Sequence, residues 1–260
     1  MTVFVNELGP RTAPITVVLL HGLSTSGWMW RDQMASLGED LHVLVPDLPG
    51  HGRSNDRPWV SLADTVRAVA DLIVARSPWG RAHVVGLSLG GYVAAQLVAD
   101  VPAVVDSAIV SGVNALPFPN PAMMRLAGRM MAPFVTTSPV LRANARTLRV
   151  PEADFEEYRA SAKAMARGTV GRVAGDVMSF RVPAAAGTSP CRLLAVAGGD
   201  EHDLVIRSLR ELATGFPSGD ARVAPGLGHA WNGEAPDLFT AMIRAHIADT
   251  ALPTALRIVD

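Results

Sequence analysis

The chain has 260 residues, a length that suits one domain or one core carrying a small insertion. Hydrophobic residues make up 49% and charged residues 18%, which allows a large buried core and excludes a disordered composition. The formal net charge is -1 and no Lys/Arg run occurs, so nothing draws the chain to nucleic acid or to an anionic membrane.

The N-terminus, Met1-Thr2-Val3-Phe4-Val5-Asn6-Glu7, has no basic start and no long apolar stretch. It predicts neither a signal peptide nor a membrane span, and hence a cytoplasmic protein. Short aliphatic runs without polar alternation follow at 16–20, 41–45, 82–87 and 104–110, then at 192–197 and, more weakly, 221–224. Such runs read as strands covered on both faces, as in a parallel sheet. Helical patterns lie between them. Ser61 offers a capping hydroxyl to a helix with Leu62, Val66, Val69, Ala70 and Ile73 on one face. Residues 91–101 form an Ala/Val-rich buried helix, and 235–248 a closing amphipathic helix with Leu238, Met242 and Ile243 on its stripe. The alternation predicts an α/β, mostly parallel, doubly wound sheet.

Residues 115–188 break the alternation. They open on Pro117, Pro119 and Pro121 and hold no strand pattern, only helix starts at Asn120-Pro121, Ser138-Pro139, Asp154 and Thr169. The expectation is a core of 1–114 and 189–260 with a four-helix cap inserted at 115–188. The lone cysteine, Cys191, permits no intrachain disulfide and reads as a small core residue.

The chemistry centres on Gly86-Leu87-Ser88-Leu89-Gly90, a G-x-S-x-G between a strand and a small-residue helix. That context is what a nucleophile elbow requires; by itself the pentapeptide could be an ordinary glycine turn. A sharp turn forces the central residue into strained φ/ψ, and glycines two residues to either side remove the clash. The helix would begin beneath Ser88, so its dipole favours a developing anion. A serine hydroxyl needs a base, and His229 in Gly226-Leu227-Gly228-His229-Ala230 is the best placed of seven histidines. His42, His83 and His246 lie in or beside regular elements and read as packing or surface residues. The tetrahedral intermediate needs two backbone N–H donors, for which Leu89 and Leu23 are the natural pair. Lys163, the single lysine, gives little support to a Schiff-base mechanism.

His21-Gly22, Pro46-Asp47-Leu48-Pro49-Gly50-His51-Gly52-Arg53-Ser54, Gly86–Gly90 and Gly228-His229 together resemble the α/β-hydrolase superfamily, in its lid-bearing esterase, haloperoxidase-like and carbon–carbon hydrolase branch. The resemblance spans nearly the whole chain. It implies a helical cap over the core, a bracing role for the Asp47–Ser54 loop, and a triad in the order Ser, acid, His. The acid then falls in Gly198-Gly199-Asp200-Glu201-His202-Asp203, where the family spacing points to Glu201, with Asp200 as the alternative and Asp203 as a helix cap.

The expected reaction is hydrolysis of an ester, lactone or related acyl bond of an apolar small molecule through an acyl-enzyme, with no cofactor and no metal. Met123, Met130, Phe118 and Phe134 of the insertion, with Trp231, are the candidate pocket residues. Carbon–carbon hydrolysis, perhydrolysis and a non-catalytic ligand receptor on the same fold stay open at this level, as does the oligomeric state.

Overall fold

The aliphatic runs pair into one eight-stranded sheet in the computed structural model, which describes residues 3–131 and 134–259. Its strands are β1 (Val5–Leu8), β2 (Thr16–Leu20), β3 (His42–Pro46), β4 (Ala82–Leu87), β5 (Val105–Ser111), β6 (Arg192–Gly198), β7 (Ser218–Ala224) and β8 (Arg257–Ile258), in spatial order β1-β3-β2-β4-β5-β6-β7-β8. Strands β2 to β7 are parallel; β1 and β8 close the two edges antiparallel. The edge strands escaped the sequence reading because neither is an apolar run. β1 is half-buried and carries Asn6 and Glu7, and β8 is two exposed residues.

Successive residues of each central strand enter opposite faces, as a period of two demands. Val18, Leu20, Val84, Val110 and Ala195 join one apolar cluster; Val17, Leu19, Val85, Ile109 and Leu194 join another. Helices α2 (Leu62–Arg76), α3 (Leu89–Asp100) and α8 (Asp203–Gly215) cover the first face. Helices α1 (Arg31–Leu37) and α10 (Pro236–Ile247) cover the second. The Ser61 hydroxyl accepts a hydrogen bond from Asp64 N at 3.1 Å, closing the start of α2. No described helix is long and apolar enough to cross a membrane.

Between β5 and β6 lie α4 (Pro121–Met131), α5 (Ser138–Leu148), α6 (Phe155–Ala164) and α7 (Thr169–Ser179). Two of their caps differ from expectation. Thr137 and Gly168 occupy the cap positions of α5 and α7, in place of Ser138 and Thr169. Gly168, at φ 80°, turns the chain into α7, and the Thr169 side chain is buried against Gly50 instead of capping. A Cβ on Gly50 would lie 2.4 Å from Thr169 Oγ1, and Ala166 N donates to Gly50 O at 2.9 Å. The glycine-rich loop after β3 therefore seats the inserted helices.

Candidate active site

The turn from β4 into α3 is tight. Ser88 has φ 55° and ψ −117°, a conformation a side-chain-bearing residue adopts only when its surroundings hold it there. A Cβ on Gly86 would lie 2.1 Å from the Gly90 carbonyl oxygen, and one on Gly90 would lie 2.0 Å from the Leu20 carbonyl oxygen. Both glycines are thus demanded by backbone approach. Ser88 N donates to Ser111 O at 2.8 Å and Gly90 N to His21 O at 3.0 Å, which pins the turn between β5 and the loop after β2. Leu89 is the first residue of α3, so its N–H has no partner within the helix.

His229 sits in the loop between β7 and the short helix α9 (Trp231–Glu234). Its Nδ1 lies 2.6 Å from Glu201 Oε2, and the carboxylate is almost wholly buried, its side chain 2% exposed. The second carboxylate oxygen accepts from Gly198 N at 3.2 Å. Glu201 reaches back from a turn in which its own N–H donates to Gly198 O at 3.2 Å. Asp200 points elsewhere: its exposed carboxylate meets Arg149 Nη1 at 3.0 Å. Asp203 begins α8 without capping it; that role falls to His202, whose Nδ1 accepts from Leu204 N at 3.2 Å.

Gly112, just beyond β5, was not singled out from the sequence. At φ 67°, a Cβ there would lie 2.8 Å from His229 Cε1 and 3.4 Å from Glu201 Oε1. The only sequence signal was a glycine directly after a buried strand, which many ordinary loops share.

The remaining polar residues of the motifs brace loops. Asp47 Oδ1 accepts from Gly27 N at 2.8 Å and its Oδ2 from Arg53 N at 2.8 Å. His21 Nε2 accepts from Leu48 N at 2.9 Å. Burial holds His21 neutral, its pKa lowered to about 4. Burial, with the neighbouring His21, lowers His51 to about 3.

Two cavities meet at Ser88 and His229. The larger, about 540 Å³, has Leu23, Leu89 and Tyr92 on the core side and Phe118, Met124, Val173, Val177 and Met178 from the inserted segment. The smaller, about 250 Å³, is lined by Ser24, Thr25, Met29, Asn144, Leu148 and Tyr158. In its wall Asn144 Nδ2 donates to the Tyr158 hydroxyl at 2.6 Å, and burial raises the pKa of that phenol.

Four expected pocket residues need correction. Met123, Met130 and Phe134 are 64%, 69% and 54% exposed and line neither cavity. Met124 faces the cavity instead, being on the edge of α4 turned toward the core. Trp231 is fully buried beneath the site, its indole N–H donating to Ser111 Oγ at 3.0 Å. Phe118 does line the larger cavity. Among the described residues no group of three His, Cys, Asp or Glu is arranged to hold a metal ion.

Comparison with known proteins agrees with this architecture. A family model described as the alpha/beta hydrolase family matches residues 17–242. An AB hydrolase superfamily protein of Gibberella zeae is 31% identical over 94% of this chain and 84% of its own length. Among solved structures, a thermophilic esterase from Thermogutta terrifontis superposes with a TM-score of 0.80 at 21% identity, covering 95% of this chain and 93% of that one. The enol-lactonase from Burkholderia xenovorans superposes at 0.76 with 19% identity, covering 95% and 96%. At these identities the two structures speak to the fold alone.

Proposed function

We propose that this chain, which belongs to the α/β-hydrolase family and is an enzyme of that hydrolytic fold, is a serine hydrolase acting on carboxylic esters or lactones through an acyl-enzyme. One observation carries the reading. A serine held in a strained elbow shares its cavities with an imidazole whose Nδ1 is engaged by a buried carboxylate.

The chemistry follows from that arrangement. With Nδ1–H donating to Glu201, the other ring nitrogen, Nε2, is left as a base. It takes the proton from Ser88 Oγ as the oxygen attacks the carbonyl carbon. The oxyanion is received by the N–H groups of Leu23 and Leu89, with the N-terminal end of α3 behind it. The imidazolium, stabilised by Glu201, returns the proton to the leaving oxygen. Water, activated by the same nitrogen, then cleaves the acyl-enzyme and frees Ser88. No step calls for a metal or an organic cofactor.

The larger cavity supports an apolar acyl or aryl group as the favoured limb. Apart from Ser88, Asn114, His202 and His229, its lining is aliphatic, aromatic or glycine. The inserted helices form its roof and act as a cap that excludes water. A fluorophosphonate probe followed by peptide mass spectrometry should place one adduct on Ser88, and Ser88→Ala should turn over no p-nitrophenyl ester. An adduct on another residue, or an active Ser88→Ala protein, would overturn the assignment.

A further inference from the structure

Arg149 ends α5 in the left-handed region, at φ 57° and ψ 40°, although it is not a glycine. Its side chain runs out of the inserted segment onto the two loops that carry His229 and Glu201. Arg149 Nη1 donates to Gly226 O at 2.8 Å and to Asp200 Oδ2 at 3.0 Å, and lies 3.7 Å from Glu234 Oε2. Its aliphatic stem lies flat on Gly228, where an added Cβ would come within 2.2 Å of Arg149 Cδ and 2.9 Å of Arg149 Cβ. Next to it, Leu148 O accepts from Ala230 N at 2.9 Å. Glu234, in turn, accepts from Gly228 N at 2.8 Å through Oε1.

These contacts bracket the catalytic pair in sequence. Gly228 and Ala230 flank His229, and Asp200 precedes Glu201. Gly226 and Gly228 offer no side chain, so the other ties of the His229 loop to the Glu201 loop are backbone ones, such as Asp200 N donating to Leu227 O at 2.9 Å. We infer that Arg149 is a positioning residue through which the cap fixes the relative placement of His229 and Glu201. On this view Asp200 serves Arg149 and not His229, which accounts for two adjacent acids in one loop. The inference rests on the Ser88–Glu201–His229 reading.

The expected signature is a split between stability and turnover. The Arg149 side chain is 42% exposed and Asp200 52%, so their ion pair contributes little to folding. A small misplacement of a catalytic group, by contrast, is costly to rate, up to about 100-fold for 1 Å. Arg149→Ala should therefore lower kcat by about 10- to 100-fold with KM and the melting temperature nearly unchanged. Arg149→Lys, which keeps the stem over Gly228 and one donor, should restore part of the loss.

A second arm uses Gly228→Ala. Gly228 does not have a positive φ, so alanine is tolerated by the backbone there, but its methyl must push the Arg149 stem aside. Gly228→Ala should lower kcat in the native background and cost distinctly less in the Arg149→Ala background, where the approaches to Cδ and Cγ are gone and only the 2.9 Å approach to Cβ remains. Arg149→Ala with kcat within about twofold of the native enzyme, a KM-only effect, or fully additive losses in the two-variant cycle would each overturn the inference. If Arg149→Ala does not fold, native kcat in Arg149→Lys together with native kcat in Gly228→Ala would overturn it. Fluorophosphonate labelling of the native enzyme keeps the two readings apart. Failure to label Ser88 defeats the triad, whereas labelling with unaffected Arg149 variants defeats only the positioning role.

Discussion

Glu201→Gln is the sharpest perturbation, because both oxygens of the native carboxylate accept hydrogen bonds. Oε2 faces His229 Nδ1 at 2.6 Å and Oε1 faces Gly198 N at 3.2 Å. An amide has one acceptor oxygen. If that oxygen faces Gly198, the NH2 group faces Nδ1, and the imidazole must carry its proton on Nε2, where it can no longer act as a base toward Ser88. If the oxygen faces Nδ1, the NH2 group opposes the Gly198 N–H, and the imidazolium of the transition state still loses its counter-charge. Either way the expected loss in kcat is about 10³- to 10⁴-fold, or about 4–5.5 kcal/mol of transition-state stabilisation. The unfilled hydrogen bond should cost about 1–3 kcal/mol of stability. Steady-state hydrolysis of a p-nitrophenyl ester, alongside urea unfolding, measures both. Asp200→Asn changes an exposed group and should lower kcat by no more than about threefold. A larger loss from Asp200→Asn than from Glu201→Gln would refute the reasoning and move the acid to Asp200.

Three further outcomes follow from the same geometry. Gly90→Ala places a methyl group 2.0 Å from the Leu20 carbonyl oxygen, a backbone atom that cannot yield, so the variant should be inactive and less stable by about 3 kcal/mol or more in urea unfolding. Val177→Phe puts a ring into the larger cavity and should lower kcat/KM for octanoyl relative to acetyl esters by about tenfold or more; an unchanged chain-length profile would remove the acyl limb from that cavity. His246 is buried, and desolvation, with Arg192 and His83 nearby, lowers its pKa to about 4. Its unfolded-state value is about 6.5, so between those limits the unfolded chain binds the proton first, and stability falls as pH drops from about 6.5 to about 4. His246→Leu should flatten that decline by up to roughly 3 kcal/mol, measured by urea midpoints across the window.

The core was legible because its signals are local and redundant. Each central strand is aliphatic on both faces since both are covered by helices, and that doubles the pattern a single buried face would give. The elbow was legible for a similar reason: Gly86 and Gly90 answer to backbone atoms within their own turn and the adjacent strand β2. Gly112 and Arg149 were not, because their partners are 117 and 77 residues away at His229 and Gly226, as residue numbering shows, and nothing in their own neighbourhood marks the contact. Asp200 and Glu201 face different partners because of how far the chain winds after β6. One more residue of turn carries Glu201 back under Gly198 and leaves Asp200 facing out to the inserted helices.

The methionines of α4 show a different limit. Periodicity places Met123, Met124, Leu126, Met130 and Met131 on one broad arc of the helix, but it cannot state the roll of that arc against the core. The structure turns the Met124 edge inward and leaves Met123, Leu126 and Met130 in solvent. Roll is decided by what α4 packs on, chiefly α7. On α7, Val173, Ala174 and Val177 line the same cavity. An amphipathic arc wider than its contact must expose one edge, so apolar identity alone could not separate a pocket residue from a surface one. The separation comes from the neighbour, and in this enzyme the neighbour that decides it is itself part of the inserted segment.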